Sequence, residues 1–456
     1  MSGGGRIRRG AAGLVDDTIG GARTIRKELR HIFPDHWSFF LGEIALYCFV
    51  ILVVTGVLLT FWFRASAAEV VYVGSYEPMQ GVQMTDAFAS ALEISFDIEG
   101  GLIVRQVHHW AALVFAAAVV VHLLRTFLTG AYRRPRRINW LVGGALLLLV
   151  IGNGIFGYSL PDDLLSGTGL RIAYSITESI PLAGPWLASI MFGGPFPSGS
   201  VISRIYPVHI FLVPALIAGL LGLHLGVLWL QRHTQFPGRG RDERVVVGTP
   251  VIPAYALRTV GYMTLVGGVL AFMGSYLQIN PLWLYGPYRA WDATTMAQPD
   301  WYTTWLEGGV RMFPGWDLQI GGFLLPALFW PAVVLPGLIF TPVLLWPWID
   351  ALLTRDRGMH NLLTPPSARP GRAALGAAVL AALFVLLLAG GSDVYAVVLG
   401  ADVQTLIHVF QGQLFALPVV AALLVFVWMQ HRARAGRPLT GDDAGTGRDL
   451  TPGRPG

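Results

Sequence analysis

Long apolar runs alternate with short polar segments along this chain, and eight of the runs are long enough to cross a membrane. A helix of ~20 apolar residues rises ~1.5 Å per residue and covers the ~30 Å of hydrocarbon in a bilayer. The runs lie at 38–62, 106–130, 139–160, 205–230, 255–277, 320–346, 372–391 and 411–430. We number them spans one to eight and predict an all-α integral membrane protein.

Composition agrees with this class. Of the 456 residues, 54% are hydrophobic and 13% are charged, whereas a soluble domain usually carries about 25% charged residues. The first 37 residues are too charged and too rich in glycine for a secretory signal, and we predict a cytoplasmic segment there. Residues 431–456 are polar and rich in Gly and Pro, which predicts a disordered cytoplasmic tail.

The net charge of +5 comes from arginines that cluster in alternate loops. They precede span one and follow spans two, four, six and eight, while acidic residues populate the other loops. By the positive-inside rule, both termini face the cytoplasm. We therefore interpret the basic balance as membrane topology and expect no nucleic-acid partner.

Spans two and four each carry two histidines near opposite membrane faces. His108 and His122 are fourteen residues apart, which places them within ~40° of one helix face and ~21 Å apart. His209 and His224 are fifteen apart, within ~60° and ~22 Å. Because both spans run from outside to inside, His108 and His209 form an outer level, and His122 and His224 form an inner level.

Two level pairs of imidazoles on facing helices match what two haems need when each iron takes one histidine from each helix. Such irons transfer electrons and bind no substrate. A hydrogen-bonded structural histidine is the alternative for any single position. Four at matched depths favour ligation, because an unpaired polar group is costly in lipid. His109 points ~100° away from His108, and we predict a structural role for it. We predict that the histidines at or near span ends are solvated: His31, His36, His233, His360, His408 and His431.

Two arginines flank the two histidines of span two. Arg105 lies three residues before His108, and Arg125 lies three residues after His122. Each lies one turn nearer the membrane surface, where a guanidinium pairs well with a haem propionate. Snorkelling of the side chain to the membrane boundary is the alternative.

Glycines repeat with a matching interval on the neighbouring spans. Gly42 and Gly56 on span one, and Gly143 and Gly157 on span three, are fourteen residues apart in each pair. Small residues would let a flat macrocycle approach the helix backbone, although ordinary helix packing also uses glycine. The single cysteine, Cys48, cannot hold an iron–sulfur cluster, and the sequence contains no C-x-x-C-H for a c-type haem.

The sequence resembles cytochrome b, the membrane core of the cytochrome bc complexes (quinol:cytochrome c reductases). The histidine ladder, "GYSLPDDLLSGTGLR" at 157–171 and "PDWY" at 299–302 carry the resemblance, which runs from "FPDHWSFFLGEIALY" to span eight. The fifteen-residue interval, "SLPDD" and "PDWY" are most similar to the actinobacterial branch. Relatives that oxidise plastoquinol bind a further haem through a cysteine where this chain has Phe40, so no covalent haem is expected.

The resemblance implies a menaquinol:cytochrome c oxidoreductase that operates a Q cycle in a bacterial plasma membrane. Quinol is oxidised at an outer site between residues 158–163 and 299–302. One electron passes to a Rieske iron–sulfur subunit and on to a cytochrome c subunit. The other passes through two b haems to a quinone near the inner face. A homodimeric complex, contacts with membrane lipid and association with a terminal oxidase are further expectations.

The outer site has candidate residues with clear chemistry. A quinol loses two protons as it loses electrons, so a carboxylate beside an apolar pocket is needed, and Asp300 is the candidate acceptor. Pro299 fixes the backbone, Trp301 and Tyr302 are expected to line a flat pocket, and the Tyr302 hydroxyl suits a hydrogen bond. Tyr158 is expected on the opposite wall.

Four segments follow from these assignments. They are the N-terminal segment 1–37, a diheme four-helix domain at 38–235, a quinol-site four-helix domain at 236–430 and the tail 431–456. At the inner quinone site, Phe33, Asp35 and Trp37 are the candidate lining. Two other functions stay open on the residues alone: a diheme membrane anchor of another quinone-linked dehydrogenase, and a proton-coupled transporter without haem, in which histidines and an Asp form a relay.

Overall fold

A computed structural model describes residues 31–292, 294 and 297–436. Within these residues, eight helices are long and apolar enough to cross a membrane, which confirms the predicted architecture. They are Trp37–Thr60, Gly101–Thr129, Arg137–Tyr158, Val201–Gln231, Val251–Tyr276, Trp330–Thr354, Pro370–Gly390 and Val403–Arg434. Most of the predicted N-terminal segment and of the predicted tail lies outside the described residues.

Spans six and eight differ most from their predicted bounds. Span six was expected from residue 320, but Leu318–Ile320 and Phe323–Leu325 form an antiparallel hairpin, and the helix begins at Trp330. Hydropathy misses this boundary because the hairpin itself is apolar, and its turn uses Gly321 at a φ of +60°. Span eight begins at Val403, because polar residues ahead of the apolar run continue the same helix after an N-cap at Asp402.

The first four spans form one bundle around a shared apolar core. Cys48 on span one is fully buried there, against Phe115 on span two, Val150 on span three and Ile217 on span four. Span five packs against spans one and two, and span six packs against span three. Span seven packs along span eight.

Shorter helices, which we number α1 to α6, connect the spans. They are α1 (Asp86–Phe96), α2 (Leu164–Glu178), α3 (Gly184–Phe192), α4 (Leu282–Tyr285), α5 (Trp301–Met312) and α6 (Ser392–Leu399). The helix α5 begins within the predicted "PDWY" motif and packs against span seven. Gly308 permits this contact, because a Cβ atom there would collide with the carbonyl oxygen of Leu386.

Short two-stranded sheets fasten the loops. The strands β1 (Ile32–Phe33) and β4 (Thr249–Pro250) pair and bring the segment before span one to the start of span five. The strands β2 (Glu69–Val71) and β3 (Gln83–Thr85) form a second pair ahead of α1. The hairpin beside span six consists of β5 (Leu318–Ile320) and β6 (Phe323–Leu325). These sheets anchor polypeptide around the bundle and leave its interior to the helices.

Candidate functional site

The structure brings the four predicted histidines together in two pairs. At the outer level, the ring centroids of His108 and His209 are 6.2 Å apart, with their planes at 77°. At the inner level, those of His122 and His224 are 6.5 Å apart, with their planes at 74°. Two imidazoles on opposite sides of one metal ion, each nitrogen ~2 Å from it, have centroids roughly 6 Å apart. Both pairs therefore fit one metal ion each.

The unequal histidine intervals have a local explanation. Residues Val208–Leu212 of span four form a π-helical turn that contains His209. A π turn accommodates one more residue than an α turn. The fifteen-residue interval of span four therefore matches the fourteen-residue interval of span two.

The outer histidines are oriented by their second ring nitrogen. His209 Nδ1 donates to the carbonyl oxygen of Asn153 at 3.0 Å. His108 Nδ1 lies 2.9 Å from the Thr55 hydroxyl oxygen, whose own proton goes to the carbonyl oxygen of Ile51. With both Nδ1 atoms occupied, the Nε2 atoms are left as ligand atoms, an arrangement that is typical of metal-binding histidine.

The inner histidines are held less tightly, although the backbone of Asn139 lies near the His224 ring. In the part of the chain that the structure describes, neither His122 Nδ1 nor His224 Nδ1 has a hydrogen-bond partner. No group of three or more His, Cys, Asp or Glu side chains that could hold a metal occurs there either. Each level thus offers two protein ligands, which suits a macrocycle that supplies the remaining ones, as haem does.

The two flanking arginines are half-buried, and some of their donor atoms are buried and unused. Arg105 donates to the carbonyl oxygen of Asn280 at 3.3 Å, but its Nε and Nη2 have no partner among the described residues. Arg125 donates to the Ser38 hydroxyl at 3.1 Å and stacks on Phe39 at 4.2 Å, while its Nη2 is unpaired in the same sense. Buried, unpaired guanidinium groups need an anion, and a haem propionate has the right chemistry. Snorkelling would bring these donors to the aqueous boundary, whereas they are buried.

Each predicted glycine faces one of the four histidines. A Cβ atom at Gly42 would lie 3.1 Å from His122 Cε1, one at Gly56 would lie 3.2 Å from His108 Cε1, and one at Gly143 would lie 3.5 Å from His224 Cε1. At Gly157 the atom would overlap the ring of His209. These glycines leave room for the imidazole rings. That they also let a macrocycle approach the helix backbone stays a prediction.

An outer cavity joins the outer histidines to the "PDWY" motif. His108, His209, Tyr158, Asp300 and Tyr302 all line it. Asp300 accepts a hydrogen bond from the Tyr302 hydroxyl at 2.9 Å. Burial, followed by the charge of Asp300, raises the pKa of Tyr302 well above its usual range, so this hydroxyl keeps its proton. Arg105 also reaches this cavity.

His109 also contacts Asp300, and the sequence did not indicate this contact. It points away from the His108–His209 pair, as predicted, but its Nε2 lies 2.8 and 3.0 Å from the two carboxylate oxygens of Asp300. The two residues are 191 positions apart, so no local pattern could have revealed the contact. Pro299 and Trp301 flank the cavity without lining it, and Trp301 is partly exposed.

Two buried carboxylates, Asp162 and Asp163, directly follow the opposite wall in the sequence. Leu160 and Pro161 line the outer cavity beside Tyr158. Burial raises the pKa of Asp162 to about 7 and also raises that of Asp163. Asp163 caps α2 by accepting a hydrogen bond from the amide of Leu165 at 3.2 Å, which gives it a structural task.

An inner cavity surrounds the inner histidines. Phe33 lines it, together with Glu43, Arg125, Arg136 and His233. Asp35 and Trp37 were predicted to line this site, but they do not line the cavity. The prediction that His233 is solvated is wrong. Asp35 pairs instead with Arg258 at 2.7 Å and with the Thr249 hydroxyl at 2.8 Å, and Trp37 is 72% exposed.

His233 is only 7% exposed, since Phe33 covers its ring with centroids 4.0 Å apart. Burial, with nearby His31 and arginines, lowers the pKa of His233 to about 3. Glu43 accepts hydrogen bonds from the hydroxyls of Tyr47, at 2.6 Å, and of Tyr255. No sequence pattern indicates His233 or Glu43 as part of a site, because the surroundings of both depend on contacts between distant segments.

Known proteins are similar to this chain in sequence and in fold. A family model described as "Cytochrome b(N-terminal)/b6/petB" matches residues 113–287. The cytochrome b subunit of the cytochrome bc1 complex from Mycobacterium bovis is 44% identical over 434 residues, covering 95% of this chain and 79% of that protein. The corresponding subunit from Streptomyces coelicolor is 44% identical over 411 residues, covering 90% and 75%.

A solved structure titled "Hyperthermophilic respiratory Complex III" matches with a TM-score of 0.67 and 21% identity, covering 91% of this chain and 99% of that one. Eight membrane helices, with two levels of facing histidines inside the first four, define a cytochrome b fold. The sequence relatives go further: the chain belongs to the cytochrome b subunits of the cytochrome bc1 complex. It is a multi-pass membrane subunit of a redox enzyme complex, in a family that carries b-type haem.

Proposed function

We propose that this chain is the diheme subunit of a menaquinol:cytochrome c oxidoreductase. His108 and His209 hold one b haem and His122 and His224 hold the other. The observation that carries the proposal is the pair of ring-centroid distances, 6.2 and 6.5 Å, at two levels of one bundle. Arg105 and Arg125 bind the propionates with donors that otherwise lack partners among the described residues.

When bound, the haems supply one-electron transfer between the outer and inner levels. The protein excludes substrate and water from the two levels. The two histidines at each level would hold the haem iron between them, which would leave it no position for a substrate. The glycines keep the rings in place, and the apolar bundle core excludes water.

Quinol binds in the outer cavity. Asp300 accepts a proton from the quinol hydroxyl, while Tyr302 and His109 hold its carboxylate in place. Tyr158 forms the facing wall. Menaquinol is the substrate we propose, because the similar chains come from actinobacteria.

Quinone is reduced at the inner cavity, on the cytoplasmic side. His233 is neutral there, and Arg136 and Glu43 line the same space, so donors and a carboxylate lie close to the inner level. Both termini face the cytoplasm, as the arginine distribution indicates. Transfer of charge from the outer to the inner level then works against the membrane potential, at ~2.3 kcal/mol per charge per 100 mV.

The full reaction needs partner subunits. One cysteine in the whole sequence cannot bind an iron–sulfur cluster, and no C-x-x-C-H segment attaches a c-type haem. A Rieske subunit therefore accepts the electron that does not enter the haems and passes it to a cytochrome c subunit. We further propose a homodimeric complex that associates with a terminal oxidase, and a division of this chain near residue 235 into a haem domain and a quinol-site domain.

Purification of the complex from membranes provides the test. Quinone extracted with it should have the mass of a menaquinone, and menaquinol should reduce cytochrome c in a steady-state assay. Extraction of a different quinone would overturn the substrate. Absence of quinol oxidation by a complex that contains its partner subunits would overturn the function.

A further inference from the structure

A cluster of charged side chains lies at the end of α5 away from the "PDWY" motif. Arg311 donates to Glu307 at 2.5 Å and to Asp393 of α6 at 2.9 Å. The side-chain amide of Gln298 donates to the other oxygen of Asp393 at 2.6 Å. The side chains of Arg311, Glu307 and Asp393 are 19%, 13% and 8% exposed. The cluster is therefore largely buried outside the membrane spans.

The cluster has one more carboxylate than its guanidinium can neutralise. Oε1 of Glu307 takes both donors from Arg311, while Oε2 is buried and has no partner within the described residues. Burial raises the pKa of Glu307 to about 7, Asp393 acts in the same direction, and Arg311 opposes both. Apolar residues pack against α5 from three spans: Leu383, Leu386 and Ala389 of span seven, Leu335 of span six and Phe410 of span eight. Glu307 can therefore bind and release a proton near neutral pH.

The cluster adjoins the outer cavity. Asp300 is the N-cap of α5, and Glu307 lies seven residues further on, which places their Cα atoms within ~20° of one helix face and ~10 Å apart. The hydroxyl of Tyr158, on the facing wall, lies 3.5 Å from the carbonyl oxygen of Gln298. Tyr158 and Glu307 are also close enough to interact electrostatically.

We propose that Glu307 receives the proton that Asp300 takes from quinol and passes it to the outer aqueous phase. The inference rests on the proposed function. The O–H bond of protonated Asp300 breaks, and an O–H bond forms at Glu307 Oε2 through water that bridges the gap. Asp300 is then ionised and ready for the next quinol. No electrons move in this step, and the proton leaves Glu307 to water.

The test uses the assembled complex with Glu307→Gln, which keeps a hydrogen-bond acceptor for Arg311 but cannot bind a proton. In the wild type, menaquinol oxidation should fall as pH decreases through about 7, because Glu307 becomes protonated. In the variant, turnover at pH 8 should fall about 10-fold, and this acid limb should disappear. Glu93→Gln is the matched control, since Glu93 pairs with Arg64 at 2.6 Å on the surface; its pH profile should equal that of the wild type.

Two further measurements separate proton transfer from a purely structural role. Asp393→Asn removes the like charge beside Glu307, so the acid limb should move to lower pH. Redox-difference infrared spectra should contain a carboxylic acid band that Glu307→Gln removes. If Glu307→Gln fails to assemble, Glu307→Asp keeps a carboxylate: it should retain an acid limb and shift that band.

The outcomes distinguish the two proposals. An active wild-type complex whose Glu307→Gln variant keeps wild-type turnover and pH profile would overturn the role of Glu307 and leave the proposed function intact. In a complex limited to Glu307→Asp, an unchanged infrared band would do the same. A wild-type complex without quinol oxidation would overturn both.

Discussion

At the outer level, Nδ1 of both histidines has a hydrogen-bond partner, Thr55 or Asn153, whereas at the inner level Nδ1 of neither histidine has one within the described chain. The ring separations are nevertheless almost equal, at 6.2 and 6.5 Å. Equal spacing therefore does not require equal surroundings. The helices fix the distance between the rings, and the local polar groups fix their orientation and electronic character.

The outer and inner cavities also differ, in the charged residues that line them. Asp300 and Arg105 are the charged residues that line the outer cavity, whereas Arg125 and Arg136 outnumber the single carboxylate of Glu43 in the inner one. A carboxylate in an apolar cavity suits the acceptance of protons from quinol. A cationic cavity suits the binding of anionic groups. The predictions below test this division, beginning with the largest expected effect.

Removal of one inner ligand should separate the two levels completely. His122→Ala should lose the inner haem and retain the outer one, because the outer ligands lie ~21 Å away along the same helix. Absorption spectra of the reduced and oxidised complex measure this loss. His109→Ala is the control, since it removes a neighbouring imidazole that faces Asp300, and it should retain both haems. Retention of two haems in His122→Ala would refute the ligand assignment.

Loss of the outer carboxylate should affect chemistry without affecting haem. Asp300→Asn keeps a polar side chain for Tyr302 and His109 but accepts no proton, so quinol oxidation should slow about 100-fold. Steady-state turnover and the haem spectrum should be measured on the same preparation. Asp86→Asn, at a surface pair with Arg64, is a matched control. Unchanged turnover in Asp300→Asn would remove Asp300 from the proton path.

Two alanine substitutions compare the glycines that contact an outer and an inner histidine ring. Gly157→Ala should disturb the outer haem, because its Cβ atom overlaps His209, at a cost of ~1–3 kcal/mol in stability. Gly143→Ala should be tolerated at the inner level, because its Cβ atom lies at an ordinary 3.5 Å from His224. Thermal denaturation monitored by haem absorption measures both. Equal behaviour of the two variants would contradict the close contact at Gly157.

The smallest effect should come from the partner of His108. Thr55→Val removes the oxygen that orients the outer ring and should weaken retention of the outer haem about 10-fold. The inner haem, whose histidines have no such partner in the described structure, should be unaffected. Haem loss during dialysis, followed at both levels, provides the measurement. Parallel loss of both haems would mean that Thr55 acts on the bundle as a whole.

The sequence was informative wherever one helix carried the whole signal. Spans, histidine intervals and the paired glycines follow from hydropathy and helical period, and all four histidines meet as expected. It was uninformative where distant segments meet. The His109–Asp300 contact and the burial of His233 depend on tertiary packing, and the apolar hairpin before Trp330 has the hydropathy of a helix.

The central claim is that two b haems lie at two unlike levels of one four-helix bundle. A redox titration of the purified complex, with the haem-to-chain ratio determined from the same sample, tests it most directly. We expect two b haems for each chain and two separate midpoint potentials, because the outer and inner histidines have different hydrogen-bond partners and neighbouring charges. A single haem for each chain, or none, would contradict the claim.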